Sequence, residues 1–395
     1  MNYFKISLLS LFAAYSLVAC GSSNDDPVAP TPQPEPETPT VTDSGFAKGA
    51  DIGWVTEYES KGYNFYNSKG EKRECTALMK ELGLNAVRIR VWVDPSAHDN
   101  WCNTSDVVIK AKRAKDLGMD VMIDFHYSDW WADPAQQNKP ASWVGKNLAD
   151  LKKAISDHTV SVLQALKAAG ITPKWVQVGN EIRPGMLWDE NAALSGASYD
   201  VKESDLKDAP ANASSKVKYP MNWANLGAFI TTGYDAVKSV FSDAIVIVHL
   251  DNGWDSSLFN WFFDTLKKNG GKWDMIGMSL YPYWTRMDKQ DYTADAVITD
   301  CITNINTLST KYNCDVMVVE TGMECADDNG KLASASVLAE SKRQLARILK
   351  ECKDNTGGRC KGVFYWEPEC KPSQYRLGAF TEEGRPTVIM DAFSE

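Results

Sequence analysis

From residue 46 onward, short apolar runs rich in β-branched residues alternate with helix-like stretches about ten to twenty residues long, a rhythm that constrains the fold more than any other feature. The runs are Ala47–Ile52, Ala86–Val91, Val121–Phe125, Trp175–Val178, Ile245–His249, Met275–Leu280, Val316–Val319 and Val363–Tyr365. Helical periodicity marks Lys72–Leu82, Ser105–Leu117, Leu148–Ala169, Asn222–Val240, Ser257–Lys268 and Ser334–Lys350, and Gly83, Gly118 and Gly170 close three of these. Strands alternating with helices imply parallel βαβ units. Eight such units in about 350 residues predict an α/β fold, a single (β/α)8 TIM barrel spanning residues 46–395. The alternative, a doubly wound sheet, calls for a glycine-rich phosphate loop after the first strand, and Gly49-Ala50-Asp51-Ile52-Gly53 lacks that spacing.

The first 45 residues follow a different logic. One charge, Lys5, precedes the apolar run Ile6–Ala19, which is too short to span a bilayer and reads as a signal peptide over residues 1–19. It ends in Leu17-Val18-Ala19-Cys20-Gly21, which resembles the lipobox of bacterial lipoproteins and implies cleavage before Cys20 and lipidation of its sulfur. Residues 20–45 carry six prolines and no apolar period, so they are expected to form a disordered tether. Asp25-Asp26 resembles the surface-export signals of some Gram-negative lipoproteins. The expected location is therefore the outer membrane, at the cell surface, with contact to the membrane through the lipid alone.

A net charge of −10 argues against a nucleic-acid or anionic-lipid partner, because no counterions would be released from phosphates on binding. A monomer is expected. The four histidines leave little room for a multi-histidine metal centre, so no metal or cofactor is expected. With Cys20 set aside, eight cysteines remain; an even number in an exported chain suggests disulfides, with the pairing open.

In barrels of this kind chemistry sits at the C-terminal strand ends. Read in order, those ends carry Asp51 and Trp54; Arg88, Arg90, Trp92 and Asp94; Asp124, His126, Tyr127, Asp129, Trp130 and Trp131; Asn180, Glu181 and Trp188; His249, Asp251, Asn252 and Trp254; Tyr281, Tyr283 and Trp284; Glu320; and Trp366 and Glu367. Eight of the fourteen tryptophans thus gather at one end of the barrel. Indoles stack on pyranose C–H faces while Asp, Asn, Arg and His bind hydroxyls, so this rim points to a sugar site. Glu181, at the fourth end, and Glu320, at the seventh, face each other across the mouth of a closed barrel. Paired carboxylates across a cleft are what acetal hydrolysis needs.

The Asn180-Glu181 pair and Glu320 resemble the signature of the clan A glycoside hydrolases. More narrowly, the chain resembles glycoside hydrolase family 53, the endo-β-1,4-galactanases, through Gly49-Ala50-Asp51-Ile52, the segment Val87–Pro95, the segment Asp124–Pro134, Val178–Ile182, Tyr281-Pro282-Tyr283-Trp284 and Val318–Thr321. The resemblance implies a retaining double displacement on β-1,4-galactan, with Glu320 as nucleophile and Glu181 as acid and then base. It also implies that Asn180 bonds the sugar 2-hydroxyl, that Tyr281 holds the nucleophile, and that His126, Asp129, His249 and Trp366 line the same subsite. Glu181 should be protonated near neutral pH, and Glu320 ionised beside Arg88 or Arg90. Asp51, Trp54, Arg88, Arg90, Trp92, Trp130, Asp251 and Trp284 complete the expected sugar-binding set.

The chain departs from the family pattern at Arg183-Pro184-Gly185 and at Thr321–Cys325, in loops beside the groove. Asp327-Asp328-Asn329-Gly330 offers too few oxygens for calcium. Other readings are a clan A mannanase or glucanase, a non-catalytic surface glycan-binding lipoprotein, and a metal-dependent barrel hydrolase; retention of both glutamates argues against the second, and the histidine count against the third.

Overall fold

The computed structural model describes residues 45–188 and 222–395. The expected signal peptide, Cys20 and the tether lie outside them. Among the described residues no helix is long and apolar enough to cross a membrane.

Eight strands close one barrel: β1 (Ala47–Asp51), β2 (Ala86–Val91), β3 (Asp120–Phe125), β4 (Trp175–Val178), β5 (Ile245–Leu250), β6 (Met275–Leu280), β7 (Asp315–Thr321) and β8 (Cys360–Trp366). Each pairs in parallel with its sequence neighbours, and β1 pairs with β8 to close the ring. The helices include α1 (Val55–Ser60), α2 (Cys75–Glu81), α3 (Thr104–Asp116), α4 (Leu148–Ala168), α5 (Trp223–Val240), α6 (Ser256–Lys268), α7 (Pro282–Asp288), α8 (Ala294–Tyr312) and α9 (Ala335–Asp354).

Local chemistry sets the boundaries. Asn103, Asn147, Asn222 and Asp255 accept backbone N–H bonds at the starts of α3, α4, α5 and α6. Gly83, Gly118 and Gly170 take the left-handed conformation just beyond α2, α3 and α4. The helix expected from Lys72 begins at Cys75 instead. Glu74 caps it through the amides of Thr76 and Ala77, while Lys72–Arg73 pair antiparallel with Phe65–Tyr66.

Two cores result. A large one fills the annulus between strands and helices; α9, for instance, turns Leu338, Leu345, Ile348 and Leu349 inward. A small one, with Ala47, Ala86, Met122, Trp175, Ile247, Met275, Met317 and Phe364, plugs the interior of the barrel. Gly49 leaves room for the Phe364 ring, which a Cβ would strike. Polar side chains occupy the interior above this plug, so the barrel ends in a charged floor.

The expected disulfides are not formed: the eight cysteines among the described residues are free thiols, seven of them buried. They serve as small core residues. Cys301 packs on Met278, and Cys102, Cys325 and Cys360 lie against backbone carbonyls.

Candidate active site

Alternation along β2 turns both Arg88 and Arg90 into the barrel, where the guanidiniums organise the floor. Arg88 donates to Asp51 (2.9 Å), Asp124 (2.8 Å) and Asn180 (2.7 Å), and its Nη1 stands 2.8 Å from Glu320 Oε1. Arg90 pairs with Glu367 and Asp51 and lies under the Trp131 ring, 4.3 Å from its centroid. The cation beside Glu320 is thus Arg88. Glu367 also accepts the amides of Gly53 and Trp54, and Gly53 has no Cβ because one would collide with the Arg90 guanidinium. Arg88, Arg90, Asp51, Asp124 and Glu367 are all buried, and each pairs with an opposite charge, which is what makes such burial tolerable.

Above the floor opens a cleft of about 430 Å³ lined by His126, Trp131, Asn180, Glu181, Asp251, Ser279, Tyr281, Trp284, Glu320, Trp366 and Tyr375, among others. Glu181 and Glu320 face each other in it, each offering an oxygen within 4.8 Å of the other's. Glu181 sits at φ 47°, and Tyr127, Asn252 and Glu367, all just past strand ends, are left-handed too. Such conformations cost about 1–3 kcal/mol each and cluster where side chains must be aimed.

The environments of the two carboxyls differ. Tyr281 donates to Glu320 Oε2 (3.1 Å), so this carboxylate has a hydroxyl and a guanidinium on its two oxygens. Burial raises its pKa, and Arg88 and Tyr281 oppose that. Glu181 is pushed well above the carboxylate range by burial, then by the charge of Glu320 and of Asp251. When one proton is shared between them, it belongs on Glu181. Ser279 donates to Glu181 Oε1 (2.6 Å), and His249 Nε2 contacts the Ser279 hydroxyl at 2.8 Å. His249 Nδ1 faces the Glu181 amide, the Gln177 amide nitrogen and Asn180 Oδ1; because the Ser279 hydroxyl gives its proton to Glu181, its oxygen accepts from His249, which places the imidazole proton on Nε2. Burial and Arg88 hold this histidine neutral by lowering its pKa. A chain of donors therefore runs from His249 through Ser279 to Glu181.

The remaining expected residues divide. His126, Asn180, Asp251, Tyr281, Trp284 and Trp366 line the cleft. Asp51, Arg88, Arg90 and His249 do not, because the charged floor engages them. Trp92 is buried and its indole donates to His126 Nδ1 (3.2 Å), while Trp54 packs edge-on beneath Trp131 and Trp366. Trp130 stacks on His98, and Asp129 pins the loop by accepting from the Asp94 and Ala141 amides. Of the eight rim tryptophans, Trp131, Trp284 and Trp366 reach the cleft; Trp188 is buried, its indole bonded to Pro184 O. Ser279, Gln177 and Tyr375 escaped the sequence reading. Ser279 carried a signal, as a hydroxyl inside the apolar run Met275–Leu280; Tyr375 lies in a loop with no periodicity to mark it.

Glu181, His249 and Glu320 have the residue types of a metal site. Both His249 nitrogens are engaged, however, and Glu320 is taken by Arg88 and Tyr281, so the carboxyls meet as an acid and a base. The acidic loop does not fit calcium: Asp327 Oδ1 accepts the Asn329 and Lys331 amides (2.8 and 2.9 Å), and Asp328 pairs with Arg376.

Comparison with known proteins agrees with this geometry. The model of glycosyl hydrolase family 53 matches residues 47–387. An arabinogalactan endo-β-1,4-galactanase of Thermothelomyces thermophilus is 30% identical over 332 residues, covering 81% of this chain and 89% of the relative. An endo-β-1,4-galactanase of Bacillus subtilis is 29% identical over 365 residues, covering 88% and 75%. Among solved structures, one from a study of two fungal β-1,4-galactanases superimposes with a TM-score of 0.71 at 27% identity, over 88% of this chain and 99% of that one.

Proposed function

The chain belongs to glycosyl hydrolase family 53, and on that premise we propose that it hydrolyses β-1,4-galactan internally, with retention of anomeric configuration. One observation carries the mechanism: the Glu181 and Glu320 oxygens approach within 4.8 Å across the cleft. Retaining glycosidases hold their carboxyls about 5–5.5 Å apart, whereas inverting ones leave about 6.5–9.5 Å for a water.

In the first step Glu320 attacks the anomeric carbon while Glu181 gives its proton to the departing glycosidic oxygen. The galactosyl ester formed on Glu320 carries no charge. Burial still raises the Glu181 pKa, but the repulsion that added to it disappears, so the pKa falls and Glu181 takes a proton from the water that hydrolyses the ester. Arg88 and Tyr281 hold the nucleophile's two oxygens in line. Asn180, whose Oδ1 is fixed by Arg88, is placed to bond the 2-hydroxyl, and Trp366, Trp131 and Trp284 offer faces for sugar rings.

Chromatography of products from linear galactan, mannan and carboxymethylcellulose tests this reading. Galacto-oligosaccharides from galactan alone are expected; their absence would reject it. The leader further supports a lipoprotein anchored through Cys20 at the cell surface. Membrane fractionation should find the protein with the outer membrane, and Cys20→Ala should release it.

A further inference from the structure

The turn that presents Glu181 is held from outside the catalytic pair. Gly179 and Glu181 both take left-handed backbone, at φ 84° and 47°, and the amide of Ile182 bonds to the His249 carbonyl at 3.1 Å. One residue further on, the Arg183 guanidinium donates through Nε to Asp251 Oδ1 at 2.9 Å; the side chains are only 6% and 11% exposed. Asn252, itself left-handed, donates to the other oxygen of Asp251 at 3.1 Å. The loop after β4 is thus tied to the end of β5 by a main-chain bond and to the loop after β5 by a buried ion pair. Asp251 lines the same cleft as Glu181 and lies on Glu181's side of it, away from β7 and Glu320. The departing sugar must occupy that side, because Glu181 is the group that protonates its oxygen.

We propose that Arg183 is a positioning residue for the leaving-group sugar: by clamping Asp251 it locks the strained turn that aims Glu181 and fixes the carboxylate wall that the departing sugar meets. The inference rests on the assignment of Glu181 as the acid. A guanidinium suits the task because its planar donors hold a carboxylate in one orientation. Without it, Asp251 would keep the Asn252 bond but lose the guanidinium that faces its Oδ1, and the Glu181 turn would lose its ion-pair tie to the neighbouring loop.

The test compares a substrate that needs this side with one that does not. Wild type, Arg183→Gln and Asp251→Asn are assayed on linear galactan and on an aryl β-1,4-galactobioside whose nitrophenol-class leaving group departs without protonation. On galactan, R183Q is expected to lose at least tenfold in kcat/KM, while the aryl substrate loses less than threefold. The double variant is expected to lose no more than the worse single one, since both act through one pair. Equal losses on the two substrates, or additive losses in the double variant, would overturn the proposal, as would an unchanged R183Q. Should thermal melting show that R183Q does not fold, Arg183→Lys is tested in its place, with a smaller loss expected, again confined to galactan. A wild-type protein inactive on galactan rejects the galactanase reading itself; an active wild type with an indifferent R183Q rejects only this inference.

Discussion

Arg88 Nη1 lies 2.8 Å from Glu320 Oε1, inside a barrel where the same guanidinium also binds Asp51, Asp124 and Asn180. One buried cation thus joins the nucleophile to the residue proposed to hold the sugar 2-hydroxyl. Arg88→Lys keeps the charge and loses the fork. Its kcat/KM on galactan is expected to fall by about 10²–10³-fold. Weakening the cation raises the pKa of Glu320, which must be ionised to attack, so the acidic limb of the pH profile of kcat/KM should move to higher pH. An unmoved limb would separate Arg88 from the charge of the nucleophile.

Glu181→Ala and Glu320→Ala should each lower galactan hydrolysis by about 10²–10⁴-fold or more. On an aryl β-1,4-galactobioside, whose leaving group departs without protonation, azide should restore turnover to both, giving a β-galactosyl azide with Glu181→Ala and an α-azide with Glu320→Ala. The first-formed product of the wild type, followed by NMR, should be the β anomer. An α product would contradict the carboxyl spacing.

Ser279 donates to Glu181 at 2.6 Å and so favours the charged form of the acid. In Ser279→Ala the Glu181 pKa should rise. The protonated acid would then persist to higher pH, and the alkaline limb of the kcat/KM profile should shift upward by about one to two units, for a hydrogen bond worth about 1.5–3 kcal/mol to a charged group. A downward shift would show that the serine bonds to the neutral acid.

Two tryptophans from the same rim should behave oppositely. Trp284 is 44% exposed at the cleft, and Trp284→Ala should raise KM for galactan roughly 2- to 10-fold, with little change in Tm. Trp92 is 1% exposed, and Trp92→Ala should destabilise the fold by about 3–5 kcal/mol. Thermal melting beside steady-state kinetics separates the two effects.

His158 packs among Phe125, Tyr127 and Trp143, its Nε2 is buried without a partner, and burial lowers its pKa to about 4. The unfolded chain takes up this proton near pH 6.5, the folded one near 4. Stability should therefore fall as pH drops through that window, by up to about 3 kcal/mol. In His158→Phe, denaturant unfolding measured across the same range should lose most of this slope.

Alternation of apolar runs with helical stretches was enough to specify a barrel, because each run must be buried on both faces and each helix on one, and a closed ring of parallel strands satisfies all of them. Asn180-Glu181 and Glu320 were legible for a related reason: polar residues that end apolar strands have to emerge at the rim. Arg90, Trp92 and His249 carried the same signal at the same end, yet the structure turns them into support beneath the cleft. Periodicity tells which side of a strand a residue occupies, not how deep it lies, and depth depends on how strands tilt and loops fold over.

The sequence by itself determined the kind of fold, the two glutamates and, through its motifs, the family. Only the tertiary structure decided which of the two arginines meets the nucleophile, that Ser279 touches the acid, that the eight cysteines among the described residues stand unpaired, and that three of the eight rim tryptophans reach the cleft. Those are matters of a few ångströms between segments 30 to 240 residues apart, set by barrel closure and packing. No local pattern encodes such distances, because each is fixed by the sum of contacts around the whole ring.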